Sequence, residues 1–375
     1  MGRCLSPVLR QELENLDKDS DSRKSAIKAL KSYVKDLDTT AIPLFLAKVS
    51  ETKQIGASSG EHTVSLYEVL ARVHGPKIIP QIDKIMCSIV KTLSSSGGAF
   101  ALHQSCSKVV PAIARYAIDP STEMDKRRKV IHSLCKPLSG CLLASQENLA
   151  SGAALCLQAL VESDNWRFAS NEMVNEVCQR VAGALGKHSQ NNSHMALVTA
   201  LAKHNSITVE AYSRLLIKSG LKILEAGFDE ANSQKQFSAI QMVSSLLRFL
   251  DPRSLFSEIE LVIGEMERCQ DGRRMPFIVG AAFEALQIAK RIYAEKGSKW
   301  EGGFGSITDS NVVMVTASPE SQTVDSFIRH DFYVESPDSM NASYPSRRMS
   351  RKLWHMCDDG VLDRSIKDEM FTHKS

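Results

Sequence analysis

Residues 152–166 read GAALCLQALVESDNW, and between Ala153 and Val161 only Gln158 prefers water. Ala, Leu and Gln are good helix formers, the apolar run is longer than most strands, and the polar stretch 162–165 ends it, so the segment predicts a helix without a wet side. Such a helix is expected to be buried all round. A bundle has room for one or two of these at its centre. A helical solenoid instead sends one helix of every repeat inward between its neighbours, so there they recur along the chain.

Aligned on their central apolar pairs, helices of this kind are anchored at Leu30 (SAIKALKSYV), Leu70 (VSLYEVLARV), Ile113 (VVPAIARYAI), Leu160, Leu201 (HMALVTALAK), Leu246 (QMVSSLLRFL) and Leu286 (AAFEALQIAK). Successive anchors are 40, 43, 47, 41, 45 and 40 residues apart. Each has an apolar partner helix before it, from LSPVLRQELENL near the N-terminus to LFSEIELVIGEM. A period in the low forties with two helices per unit marks HEAT and armadillo arrays. The predicted fold is therefore all-α, a HEAT/armadillo-type α-solenoid of about seven helix pairs over residues 1–295. Gly75-Pro76, Asp119-Pro120 and Asp251-Pro252 fall between helices, where proline cannot extend the preceding one. Pro111 falls inside an inner helix and is expected to kink it.

Beyond Lys296 the pattern changes. GSKWEGGFGSITDS is rich in Gly and Ser and residues 306–350 are polar, so 296–375 reads as a linker and a mostly disordered tail. Within it, residues 359–371 (DGVLDRSIKDEMF) place Leu362, Ile366 and Met370 on one face, a candidate short helix.

The 375 residues are 43% hydrophobic and 24% charged, the balance of a globular chain, and only 6% aromatic with almost no strand-like alternation. A net charge of +3 is too small to point to nucleic acid, which would call for positive charge spread along the solenoid. The nine cysteines form no C-x-x-C pair and mostly occupy apolar helix positions, so they read as reduced core residues. No run reaches 18 apolar residues and MGRCLSPVLRQELENLDKD lacks the apolar segment of a signal peptide, so a cytoplasmic or nuclear protein is expected.

Catalytic signatures are missing: there is no P-loop, G-x-S-x-G or H-E-x-x-H, and EGGFGS follows no strand, so it reads as linker rather than phosphate cradle. His132 and Cys135 form an i, i+3 pair without the second pair that zinc needs, and read as core histidine and core thiol. No enzyme, cofactor, metal or small-molecule substrate is expected.

The patterned surface feature lies in SDSRKSAIKALKSYVKDL. Lys24, Lys28, Lys31 and Lys35 recur at +4, +3 and +4 and share a narrow stripe, with Arg23 beside the first and Ile27, Leu30, Val34 and Leu37 on the core-facing stripe. No acid stands at i, i+4 to neutralise them, so they repel mildly unless something acidic lies opposite. They are a solvated face, a contact for an acidic polymer surface or, third, a contact for nucleic acid. A second cluster, Lys126, Arg127, Arg128 and Lys129, opens an outer helix, where positive charge opposes the macrodipole. It too is either a solvated face or a secondary basic patch. In the tail, SRRMSRKLW presents Ser350 as a candidate phosphorylation site for a basophilic kinase, where a phosphate would offset the surrounding positive charge.

The opening MGRCLSPVLRQELENLDKDSDSRKSAIKALKSYVKDLDTTAIPLFLAKVSE, followed by SLYEVLARVHGPKIIPQIDKIMCSIVKTL, CSKVVPAIARYAIDP and LASGAALCLQALVESDNWRFAS, resembles the plant SUN-interacting nuclear-envelope armadillo proteins. The N-terminal domain is also similar to that of the TORTIFOLIA and SPIRAL microtubule-associated proteins, over roughly residues 1–295. The resemblance implies a non-enzymatic cytoskeletal adaptor whose armadillo domain associates with actin filaments or microtubules. It also implies a membrane tail that binds SUN-domain proteins at the nuclear envelope. This chain stops at MFTHKS with no apolar span, so those last two properties are expected only of a longer form. The alternative reading is a peptide-binding scaffold of importin type, which would carry Asn and Trp ladders on its inner helices; Trp166 is the only Trp within 1–295.

Loss of apolar periodicity after Ile292 predicts a protease-sensitive boundary. Brief trypsin treatment should leave a resistant fragment ending between 296 and 310, whereas first cleavage within 100–250, identified by intact-mass analysis, would break the continuous solenoid.

Overall fold

Apolar runs that no single helix pair can cover by itself set the architecture. The computed structural model describes residues 7–16, 18–52, 59–187, 192–271 and 274–301, and every regular element among them is helical. The helices fall into seven pairs: α1 (Pro7–Asn15) with α2 (Ser20–Lys35), α3 (Ile42–Thr52) with α4 (Ser59–His74), and α5 (Ile82–Ser95) with α6 (Phe100–Ala117). Then come α7 (Met124–Cys141) with α8 (Glu147–Val161), and α9 (Asn171–Leu185) with α10 (Asn192–His204). After the short α11 (Ser206–Glu210), α12 (Ser213–Asp229) pairs with α13 (Ser233–Phe249) and α14 (Ile259–Arg268) with α15 (Pro276–Glu301). The all-α armadillo/HEAT-type solenoid read from the period is thus the observed fold, and all described residues lie in the compact unit Met1–Ile307.

Local chemistry places the helix starts. The Asp19 carboxylate accepts from the amides of Asp21 and Ser22 ahead of α2, Ser170 caps α9 through the Met173 amide, and Asn232 caps α13 through the Lys235 amide. Gly75, at φ +53°, supplies the left-handed residue that ends α4. α6 runs unbroken through Pro111, and α7 through Pro137.

The second helices form the inner layer: α2, α4, α6, α8, α10, α13 and α15 each pack on the next. The apolar run from Ala153 to Val161 lies in α8, walled by α6 and α10 with α5 and α7 behind it. Ala153, Ala154, Cys156, Leu157, Leu160 and Val161 are buried, but Ser151, Leu155, Gln158 and Ala159 are half-exposed. All-round burial is therefore corrected to burial on three sides, because two layers leave one side of each inner helix uncovered. Gly152 lets α5 come close, since a Cβ there would lie 2.5 Å from Leu93 Cδ2.

Polar ties between repeats follow the same period. His74 Nε2 meets the Val34 carbonyl oxygen at 3.0 Å, Trp166 Nε1 donates to Asn205 Oδ1 at 2.6 Å, the Tyr212 hydroxyl donates to Asn175 Oδ1 at 2.8 Å, and the Asp251 amide donates to Glu210 Oε1 at 3.0 Å. These partners are 40, 39, 37 and 41 residues apart. The buried Glu258 joins the last two pairs by accepting from Arg214 Nε at 2.8 Å, with Lys218 Nζ at 3.6 Å. The two cations offset the cost of placing this side chain in a buried position.

At the C-terminal end α15 continues to Glu301, six residues past the expected boundary at 295, because no proline interrupts 297–301. The candidate helix at 359–371 and Ser350 lie outside the described residues. Among the described residues, no helix is long and apolar enough to cross a membrane.

Glycines inside these helices give opposite expectations from local space alone. Gly220→Ala gains roughly 1 kcal/mol of helix propensity. Its Cβ, however, would sit 2.7 Å from Val243 Cγ2, a stiff branched side chain, at a cost of about 1–3 kcal/mol. A net loss of about 1 kcal/mol is expected as a lower urea midpoint. Gly264→Ala and Gly280→Ala, with nothing within 4 Å of the new Cβ, should raise it.

Candidate basic binding surface

Helix α2 buries Ala26, Leu30 and Val34 and turns Lys24, Lys28, Lys31 and Lys35 to solvent. Lys24 Nζ lies 3.6 Å from Asp21 Oδ1, so this first lysine has a partner at i−3 that the i, i+4 rule overlooked. Lys28, Lys31 and Lys35 have no carboxylate within 4.0 Å among the described residues. With Ile27 and Ser32 the four lysines line a shallow trough of about 480 Å³. Ile27, expected on the core stripe, is instead half-buried at its margin, because the buried side is centred on the i, i+4, i+8 row of Ala26, Leu30 and Val34. It gives the trough an apolar wall.

Arg23 does not join the lysines. It is half-buried, and its Nε donates to the Leu16 carbonyl at 2.9 Å while Nη2 donates to the Lys18 carbonyl at 3.0 Å, closing the turn between α1 and α2. Across the inner layer stands His62 of α4. Burial lowers its pKa, the Glu61 carboxylate opposes that, and the charges of Arg23 and Lys31 reinforce it. The imidazole therefore stays neutral to a lower pH than an ordinary histidine and adds no cation at neutral pH.

The second patch is largely spoken for. Lys126 Nζ is 3.2 Å from Glu123 Oε2 and Arg128 Nη1 is 3.7 Å from Asp125 Oδ1, acids that also offset the dipole problem of a basic first turn. Arg127 repeats the geometry of Arg23. It stands four residues after the N-cap position, donates from Nε to the Thr122 carbonyl at 2.6 Å and from Nη2 to the Pro120 carbonyl at 2.7 Å, and lies 5.0 Å over the Phe168 ring. Lys129 is exposed. Only the partners five and seven residues upstream reveal the structural role of the two arginines, a signal absent from charge counting.

No group of three His, Cys, Asp or Glu among the described residues could hold a metal. His132 is exposed while Cys135 is buried, so the pair does not share the core as expected. Cys106, Cys156, Cys178 and Cys269 are buried, and burial pushes the last two thiols up to about 12 and about 11. Cys87 departs from the core reading and is exposed.

The sequence profile described as TORTIFOLIA1 N-terminal matches residues 10–246. The chain is 59% identical to Protein SINE1 of Arabidopsis thaliana over 99% of its own length and 69% of that protein. It is 54% identical to Protein SINE2 of the same plant over 79% of its length and 53% of that protein. Among solved structures, a designed armadillo repeat protein aligns over 75% of this chain and 99% of its own, at 13% identity and a TM-score of 0.37.

Within the basic patch, stability should separate the residues by their bonds rather than their charge. Arg127→Ala removes two hydrogen bonds from a half-buried guanidinium and should cost about 1–2 kcal/mol in urea denaturation. Lys126→Ala and Lys129→Ala, both exposed, should stay within about 0.5 kcal/mol of wild type.

Proposed function

The chain belongs to the TORTIFOLIA1 N-terminal family, and from that starting point we propose that it is a non-enzymatic armadillo scaffold whose first helix pair holds an acidic cytoskeletal filament, actin or microtubule. The observation that carries this reading is the row of Lys28, Lys31 and Lys35, exposed on one face of α2 and unmatched by any carboxylate within 4.0 Å among the described residues. Like charges held in line on a rigid helix repel one another mildly, and an opposing acidic surface turns that cost into attraction. Lys24 extends the row while sharing its charge with Asp21. Arg23 acts behind it as a positioning residue, and the patch at Lys126, Arg128 and Lys129 is at most an accessory contact. Ser350 would tune charge in the tail.

The setting proposed is the cytoskeleton, extending to the nuclear envelope and a SUN-domain partner for a longer form that carries a membrane tail. The importin-like alternative is disfavoured by Trp166, which is buried with its indole N–H committed to Asn205 rather than offered on the uncovered side of the inner helices.

Co-sedimentation of the purified chain with actin filaments and with microtubules tests the proposal. Each exposed pair is worth about 0.2–1 kcal/mol, so replacing Lys24, Lys28, Lys31 and Lys35 together by Glu should weaken binding by roughly 1–3 kcal/mol, about 5- to 150-fold. Helicity should hardly change, since Lys and Glu have similar helix propensity. Added salt should weaken the wild type far more than the variant. Equal affinity of the two proteins at low salt returns the row to a solvated face.

A further inference from the structure

A second surface lies on the opposite layer, between the outer helices α3 and α5, where a trough of about 700 Å³ opens. Its α3 wall is Pro43, Leu46, Ala47 and Ser50, spaced i, i+3, i+4 and i+7, and mostly apolar. Its α5 wall shows the same spacing in Lys84, Cys87, Ser88 and Lys91. Among the described residues, Lys84 and Lys91 are exposed, two turns apart, form no ion pair, and share the trough with no carboxylate. The floor is fixed rather than soft, because the buried Ser88 hydroxyl lies 2.8 Å from the buried Tyr67 hydroxyl and Thr92 Oγ1 donates to the Ser88 carbonyl at 2.8 Å.

We infer that this trough takes an acidic amphipathic helix of a partner protein. The two walls run for about 10–16 Å at the helical rise, the length of two to three turns. One wall matches an apolar stripe and the other a neighbouring row of Asp or Glu, which is the pattern of helix-in-groove recognition. The charge complementarity selects acid over base: a basic helix would bring cations against Lys84 and Lys91, with no carboxylate in the described lining to offset them. This surface shares no residue with the lysine row of α2, so its occupant and a filament do not compete for the same side chains.

Cys87, exposed midway between the two lysines, reports occupancy. The probe is a capped, fluorescein-labelled peptide of about 18 residues, with Leu at helical spacing and Glu on the adjacent face. A scrambled peptide of identical composition controls for charge alone. The patterned peptide should bind the whole chain in anisotropy titrations and slow maleimide labelling of Cys87, identified by loss of that label in Cys87→Ser. Lys84→Glu with Lys91→Glu should weaken binding at least about tenfold, while the quadruple Lys-to-Glu variant of α2 should bind as wild type. Equal binding of the scrambled peptide, unchanged affinity of the Lys84/Lys91 variant, or loss of binding in the α2 variant alone would each overturn the assignment. So would protection of Cys87 by octyl sulfate but not by the patterned peptide, which would make the trough a small-anion site. None of these outcomes bears on filament co-sedimentation, so the two surfaces stand or fall separately.

Discussion

Everything in this molecule follows from the fact that no helix pair can bury its own apolar surface. Leu157, Leu160 and Val161 of α8 are dry only because α6 stands on one side and α10 on the other. At about 25 cal/mol per Å² of apolar surface removed from water, a pair without a neighbour forfeits much of what stabilises it. Stability is therefore shared between adjacent units, and the chain must carry the same pattern again about every forty residues.

That necessity made the architecture legible in the sequence. Anchors such as Leu70, Leu160 and Leu246 all lie fully buried in the inner layer, and Gly75, Asp119-Pro120 and Asp251-Pro252 punctuate it. What could not be read was anything set by small rotations or by distant partners. Ala26 is fully buried and Ile27 only half-buried against the core because the exact phase of α2 depends on packing between layers. Trp166 finds Asn205, and Glu258 finds Arg214, across a full repeat, and no local pattern records such pairs. The last helix reaches Glu301 for a related reason: a helix continues past its last apolar contact as long as nothing in the backbone forbids it.

The candidate surfaces divide in the same way. The lysine row of α2 was visible because helical spacing alone puts its members on one face. The roles of Arg23 and Arg127 were hidden because a guanidinium bound to carbonyls looks identical, in sequence, to one offered to a partner. Charge clusters in repeat proteins thus mix cations that brace the scaffold with cations that face outward. Hydrogen-bond geometry separates them.

Among the described residues, the first helix pair packs on α3 and α4, and it is the pair that bears the lysine row. If a filament pulls on α2, the load passes to the neighbouring pair through the interface with α3 and α4, which includes the bond between His74 and the Val34 carbonyl. Force carried from pair to pair in this way acts on one junction at a time. The strength of that one junction would then set how much tension reaches the repeats beyond it.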